Sequence, residues 1–289
     1  MAFLLRRDGS NFPLEVQRWQ YFLLRMGISQ AGRIDGQFGL KTEEATKFFQ
    51  IQNGLTINGK LDAPTLAVAA GMGYSVVPDD FYEGLGDENF PPKPPGTHSP
   101  TNDERNDGLG CYKFKQLALA NRADPDEIVI QGDCDDTVAN WRNEFIATVT
   151  ISQPIFANGF NKRITGHKAV LPHWVRLFER WEELDLLHLI RNFDGDFSPR
   201  YKRGQSPGNG SHGTRSSRNV DALSNHAFGS AMDINASDNG FGSMPALLPG
   251  RGCVRQLVVP ASELGFFWGG YFSSTKDGMH FEFADFANL

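Results

Sequence analysis

The sequence contains little cysteine and no long apolar run, and each absence argues against a class of protein. Only three of its 289 residues are cysteines (Cys111, Cys134 and Cys253), and no two of them form a CxxC pair. A cysteine metal site or a dense disulfide framework is therefore not expected, whereas one bridge between Cys111 and Cys134 stays open. No run of 18 apolar residues occurs, so we expect no membrane insertion.

The sequence also has no excess of positive charge, and its first residues do not have the pattern of a targeting signal. The formal net charge is −6, which provides no basis for a nucleic-acid partner. Residues 1–10 carry two arginines without an apolar run after them, so they are not typical of a secretory signal. We therefore expect synthesis in the cytoplasm. The length favours two domains.

Residues 1–75 have the apolar spacing of three short helices. The first predicted helix ends at Gly27, and one face of it contains Val16, Trp19, Phe22, Leu23 and Met26. The second is predicted to begin near Thr42. The third follows Asp62, with Pro64 in its first turn.

Two turns of this region repeat each other. Residues 35–42 (DGQFGLKT) parallel residues 58–65 (NGKLDAPT), and each segment joins an Asp-Gly or Asn-Gly turn to a side-chain oxygen that suits a helix N-terminus. Two such units on a three-helix core resemble the peptidoglycan-binding domain of endolysins and other cell-wall hydrolases. The resemblance covers residues 12–73. It implies that residues 1–75 bind bacterial peptidoglycan.

The composition changes at residues 76–107. This segment holds six prolines and eight acidic residues against two basic ones, which predicts an acidic, semi-extended linker. Residues 108–289 form the second predicted domain, with a strand near 145–151 and a helix at 172–190. Residues 200–222 are rich in Gly, Ser and Arg and predict a long loop.

Two short segments of the second domain carry chemistry, residues 224–235 (SNHAFGSAMDIN) and 277–283 (DGMHFEF). Both alternate as strands do, so His226 and Asp233 from one can meet His280 from the other above one sheet. Two imidazoles and one carboxylate suit Zn²⁺ and leave a fourth position for water. Asp277 is the nearest carboxylate able to act as general base.

The combined pattern, SxHxxGxAxD followed by DxxHFE, resembles the zinc peptidase family of D-Ala-D-Ala carboxypeptidases and phage L-alanyl-D-glutamate endopeptidases. In that family the first motif supplies two metal ligands, which match His226 and Asp233. The second supplies the base and the last ligand, which match Asp277 and His280. Aspartate at the base position is typical of the endopeptidase branch.

The resemblance also implies supporting residues. The family uses an upstream arginine to hold a substrate carboxylate or the developing oxyanion, and Arg200 is our candidate, although the long 204–222 loop leaves the alternative of a solvated arginine open. Ser224 is expected to support the site by a hydrogen bond. Glu282 is expected to orient His280 or bind a substrate amine, with a surface carboxylate as the alternative.

Together these features predict a small all-α three-helix domain (1–75), an acidic Pro-rich linker (76–107) and an α+β zinc peptidase domain with a central antiparallel sheet (108–289). The predicted protein is a monomeric peptidoglycan peptidase, most specifically an L-alanyl-D-glutamate endopeptidase. Its modular order resembles a phage endolysin, which accumulates in the host cytoplasm and reaches the wall after release.

Three alternatives stay open. The first is a D-Ala-D-Ala carboxypeptidase of the same family. The second is a non-catalytic wall-binding protein with a structural metal. The third is a serine D,D-peptidase, since residues 273–276 (SSTK) and 237–239 (SDN) match two of its three elements, but in reversed order and without KTG.

Overall fold

The computed structural model describes residues 4–76, 91–117, 124–207, 213–247 and 250–289. In chain order its helices are α1 (Pro13–Arg25), α2 (Leu40–Gln52), α3 (Ala63–Gly71), α4 (Asn102–Leu109), α5 (Trp141–Phe145), α6 (Leu171–Glu183), α7 (Ala236–Asn239) and α8 (Arg255–Glu263). Its strands are β1 (Tyr112–Gln116), β2 (Ile128–Asp133), β3 (Ile146–Thr150), β4 (Arg163–His167), β5 (Phe193–Gly195), β6 (Thr214–Ser216), β7 (Ala231–Ile234), β8 (Phe266–Trp268) and β9 (His280–Phe283). None of the described helices has the length and apolarity needed to cross a membrane.

The N-terminal region is the predicted three-helix domain. Pro13 occupies the first turn of α1, where its missing N–H group costs no helical hydrogen bond. Asp62 caps α3 by accepting a hydrogen bond from the Thr65 amide at 3.1 Å. The core of this domain is a separate cluster of buried side chains built around Trp19, Phe22 and Phe49.

The two repeated turns are held by two glutamines in equivalent roles. The Gln20 side-chain oxygen accepts hydrogen bonds from the Asp35 and Gly36 amides, both at 3.0 Å. The Gln50 oxygen accepts from the Asn58 and Gly59 amides at 3.0 and 2.9 Å. Both glutamines are buried, so each turn is fixed by a side chain of the preceding helix.

The N-terminal domain is docked directly on the second domain through α1. The Gln17 side-chain amide donates to the His188 carbonyl at 3.4 Å, and its oxygen accepts from the Gly252 amide at 3.4 Å. The ring of Tyr21 packs edge-on against Phe156, with centroids 5.7 Å apart. Arg18 forms an ion pair with Asp185. These contacts bury part of α1 against the large core, so the two domains share an interface.

The second domain is built on a four-stranded antiparallel sheet in the order β5-β7-β9-β8. Its described part also contains the sheet β2-β1-β6 and the hairpin β3-β4. Helix α6 buries Trp174, Leu177 and Trp181 against the core and ends at Glu183. Asp185 has a left-handed φ of 56°, which ends the helical path before the predicted limit at residue 190. The predicted fold class, an all-α domain followed by an α+β domain, is confirmed.

Some residues of the predicted linker and of the predicted loop form regular secondary structure in the second domain. Helix α4 begins at a capping box formed by Thr101 and Glu104. Residues 77–90, within the predicted linker, and residues 208–212, within the predicted loop, lie outside the described residues. Between residues 213 and 222 the chain forms β6, which pairs with β1. Cys111 and Cys134 form a disulfide, and Cys253 is a buried free thiol.

Candidate active site

The three predicted metal ligands come from two neighbouring strands and one tight turn. Asp233 on β7 and His280 on β9 are direct cross-strand partners. His226 lies in a 3₁₀ turn at residues 225–228, and the Ser224 hydroxyl caps that turn by accepting from the His226 amide at 3.4 Å. The turn ends at Gly229, whose φ is +68°. A Cβ there would lie 2.6 Å from the backbone nitrogen of His167, so only glycine fits.

The ligand atoms of these residues converge on one point. His226 Nε2 lies 3.1 Å from Asp233 Oδ1 and 3.2 Å from His280 Nδ1, and the last two atoms are 3.2 Å apart. Tetrahedral zinc with bonds near 2.0–2.1 Å spaces its ligand atoms by about 3.3 Å. The observed triangle therefore has the size that such an ion requires.

The hydrogen bonds on the far side of each ring assign the tautomers. His226 Nδ1 donates to the Asp196 carbonyl at 2.7 Å, and His280 Nε2 donates to the Glu282 carboxylate at 2.8 Å. Each ring therefore directs a lone pair toward the other and toward Asp233. Three buried acceptors facing one another call for a cation.

Asp277 lines the same cavity, which has a volume of about 430 Å³. Burial raises the pKa of its carboxyl group to about 6. Its Oδ1 is buried and has no hydrogen-bond partner among the described residues, so it is free to accept a proton. Gly269 makes room for this arrangement, because a Cβ there would lie 3.1 Å from the Cβ atoms of Asp277 and His280.

Arg200 is a half-buried cation on the wall of this cavity. Its guanidinium donates to the Tyr201 carbonyl at 3.3 Å, and within the described parts of the chain it forms no ion pair with a carboxylate. Burial lowers the pKa of Arg200, and the negative charges of Asp233 and Asp277 oppose that shift. A desolvated and unpaired guanidinium is suited to receive an anion from a ligand.

Glu282 is a buried carboxylate, with 1% of its surface exposed. One of its oxygens accepts hydrogen bonds from His280 and from the side chain of Asn225. Of the expected roles of Glu282, this geometry fits the orientation of His280. Asn225 and the Asp196 carbonyl were not anticipated as part of the site, although Asn225 lies inside the first motif.

The residues that resemble serine D,D-peptidase elements have other partners. Lys276 donates to the Phe272 carbonyl at 2.8 Å. Asp238 is paired with Arg191, and the Asn239 side chain donates to the Gly252 carbonyl at 2.8 Å. The Ser-Asp-Asn residues therefore stabilise the chain around α7, which does not favour the serine mechanism.

Comparison with known families gives two matches. Residues 14–68 match the putative peptidoglycan binding domain, and residues 218–283 match the D-alanyl-D-alanine carboxypeptidase family. No curated protein and no solved structure matches the chain. The second match spans the convergent ligands and Asp277, and the two together support a peptidase that acts on peptidoglycan. The chain thus carries a segment similar to peptidoglycan-binding domains, at residues 14–68, followed by a segment similar to the D-alanyl-D-alanine carboxypeptidase family, at residues 218–283.

Proposed function

We propose that the protein is a zinc-dependent endopeptidase that hydrolyses the L-Ala–D-Glu bond of peptidoglycan stem peptides. One observation carries the proposal. Three buried ligand atoms, from His226, Asp233 and His280, lie 3.1–3.2 Å apart in a cavity that also contains a carboxylate oxygen of Asp277 with no hydrogen-bond partner in the described part of the chain.

In this mechanism zinc held by the three ligands supplies Lewis acidity toward the scissile carbonyl and an attacking water. Asp277 accepts a proton from the water while the water oxygen bonds to the carbonyl carbon. Asp277 then gives that proton to the leaving amine as the C–N bond breaks. Arg200 pairs with a carboxylate of the stem peptide and so orients the scissile bond.

The choice of bond rests on two features. Aspartate occupies the base position, as in the endopeptidase branch that the motifs resemble. A wall-binding domain suits an enzyme that dismantles a polymer, because tethering raises the local substrate concentration. A carboxypeptidase that removes one terminal residue gains less from such anchoring. Arg200 is compatible with either reaction, because both a terminal D-Ala and the D-Glu residue offer an α-carboxylate.

A purely structural metal is the alternative from another class. Structural zinc sites are usually closed by four protein ligands. Here three candidate ligands face a cavity that also contains Asp277 and Arg200, which favours an open, catalytic site.

Digestion of purified peptidoglycan, followed by mass spectrometry of the fragments, tests the proposal. We expect new free N-termini on D-Glu and glycan strands that carry only L-Ala. Release of free D-Ala from stems still attached to glycan would replace the proposed bond by D-Ala–D-Ala. The double variant His226→Ala/His280→Ala is the matched inactive control.

A further inference from the structure

Arg105 is a buried cation within the segment whose composition predicts a linker. It lies on α4, and only 2% of its surface is exposed. One guanidinium nitrogen, Nη1, donates to the Leu223 carbonyl at 3.0 Å and to Asn225 Oδ1 at 2.8 Å. The guanidinium also lies over the Phe228 ring, 4.8 Å from its centroid. Arg105 therefore contacts both sides of the turn that holds His226.

The contact with Arg105 sets the orientation of the Asn225 amide. A guanidinium can only donate, so the atom of Asn225 that faces it must be the oxygen. The amide nitrogen is then directed to Glu282 and donates to its Oε2. The same Glu282 oxygen accepts from His280 Nε2 at 2.8 Å. A continuous hydrogen-bonded path therefore runs from Arg105 through Asn225 and Glu282 to His280.

The donor and acceptor roles along this path determine which nitrogen of His280 carries the proton. A Glu282 carboxylate held in place keeps the proton of His280 on Nε2, which leaves the Nδ1 lone pair for the metal. Without Arg105 the Asn225 oxygen loses its charged donor, so the Asn225 side chain is held less firmly against Glu282. The Glu282 carboxylate is then less firmly placed beside His280.

We propose that Arg105 is a positioning residue for the metal centre, acting on His280 through Asn225 and Glu282. The inference rests on the proposed zinc site and adds to it a residue that lies outside both family matches. It also assigns α4 to the catalytic unit. Arg105 does not touch the reacting atoms, so its effect is expected on metal affinity and on ligand geometry.

The test measures metal binding by the full chain without any peptidoglycan. Zinc affinity is obtained by competition with a chromophoric chelator, and ligand geometry from the visible absorption spectrum of the cobalt-substituted protein. Arg105→Met is expected to weaken zinc binding by up to about 10-fold, the lower end of the loss that follows removal of a direct partner of a metal ligand, because Arg105 acts on His280 through two intervening side chains. It should also shift the cobalt spectrum. Arg105→Lys should recover part of the loss. Arg18→Met is the matched control, since Arg18 is also buried but lies in the N-terminal domain, where it pairs with Asp185.

A double-variant comparison separates positioning from general stabilisation. In a Glu282→Gln background, Arg105→Met should cause little further loss of zinc affinity, because the path is already interrupted. A full 10-fold loss in that background, or an unchanged affinity and spectrum in Arg105→Met alone, would overturn the inference. Where Arg105→Met does not fold, Asn225→Leu interrupts the same path and the same outcomes apply. A wild-type chain that binds neither metal would instead overturn the proposed zinc site itself.

Discussion

Asp233 and His280 are direct partners across the antiparallel strands β7 and β9, and their facing atoms, Oδ1 and Nδ1, lie 3.2 Å apart. Two of the three candidate ligands are therefore held by the hydrogen-bonded frame of the central sheet. The third, His226, is placed by a capped turn that enters the same sheet. A site built on paired strands keeps its geometry without a bound ion, which favours tight metal binding.

Purified protein is expected to contain about one zinc ion per chain, as three convergent ligands predict. Removing zinc with a chelator should abolish activity, and adding it back should restore activity. Elemental analysis of wild type and of His226→Ala/His280→Ala measures the metal content, with the exposed His98→Ala as control. Full activity in metal-free protein, or a normal zinc content in the double variant, would contradict the assignment of these residues as zinc ligands.

The variant Asp277→Asn should retain zinc and lose activity by about 10²-fold or more, because an amide cannot accept the proton of the water. Steady-state hydrolysis of soluble stem peptides, alongside zinc analysis, measures both effects. Asp136→Asn is a suitable control, since that side chain is 79% exposed and pairs only with Lys113 among the described residues. If Asp277→Asn turns over normally, Glu282 has to be reconsidered as the base.

Arg200→Met should lower kcat/KM about 10- to 100-fold on stem peptides whose D-Glu α-carboxylate is free, because a hydrogen bond between charged groups is lost. Peptides with that carboxylate amidated should be affected much less. Arg203→Met is the matched control, because Arg203 lies on the same segment but is paired with Asp124 at 2.7 Å. Equal losses on both peptides would argue against carboxylate recognition by Arg200.

Tyr21→Ala should destabilise the docked arrangement of the two domains by about 3 kcal/mol, the usual order for truncating a buried aromatic side chain. Tyr21 is 5% exposed and packs on Phe156 across the interface. Denaturant unfolding measures the change, and Phe48→Ala, which truncates a 37% exposed ring of the same domain, is the comparison. An unfolding curve unchanged by Tyr21→Ala would mean that the interface contributes little.

Acid should weaken the folded state through His188. Burial, assisted by Arg18, lowers the pKa of His188 to about 3, so the folded protein keeps this ring neutral while an unfolded chain protonates it near pH 6.5. The unfolded state thus binds more protons between these values, and stability falls as the pH drops through this window. His188→Gln should lose less unfolding free energy than wild type between pH 6.5 and 4. If the unfolding free energies of the variant and of wild type fell equally over this pH range, the prediction would be contradicted.

Local patterns in the sequence determined a large part of this protein. The three-residue and four-residue spacing of apolar side chains predicted α1, since helical periodicity depends only on neighbouring positions. The alternation in residues 231–234 and 279–283 likewise predicted two strands with chemistry on one face. Because each motif carries its functional residues at short separation, the sequence alone groups His226, Asp233, His280 and Asp277, and the fold lines one cavity with all four.

Contacts between distant segments were decided only by the tertiary structure. Composition predicted a linker through residue 107, yet Arg105 is buried against Asn225, 120 residues further along the chain. The docking of Gln17 on Gly252, 235 residues away, has no local signal either. Such contacts depend on where the whole chain brings surfaces together, and a single buried polar residue has no periodicity to reveal it. The sequence therefore predicted the candidate ligands and the secondary structure around them, while the tertiary structure decided how α1 and α4 pack on the second domain.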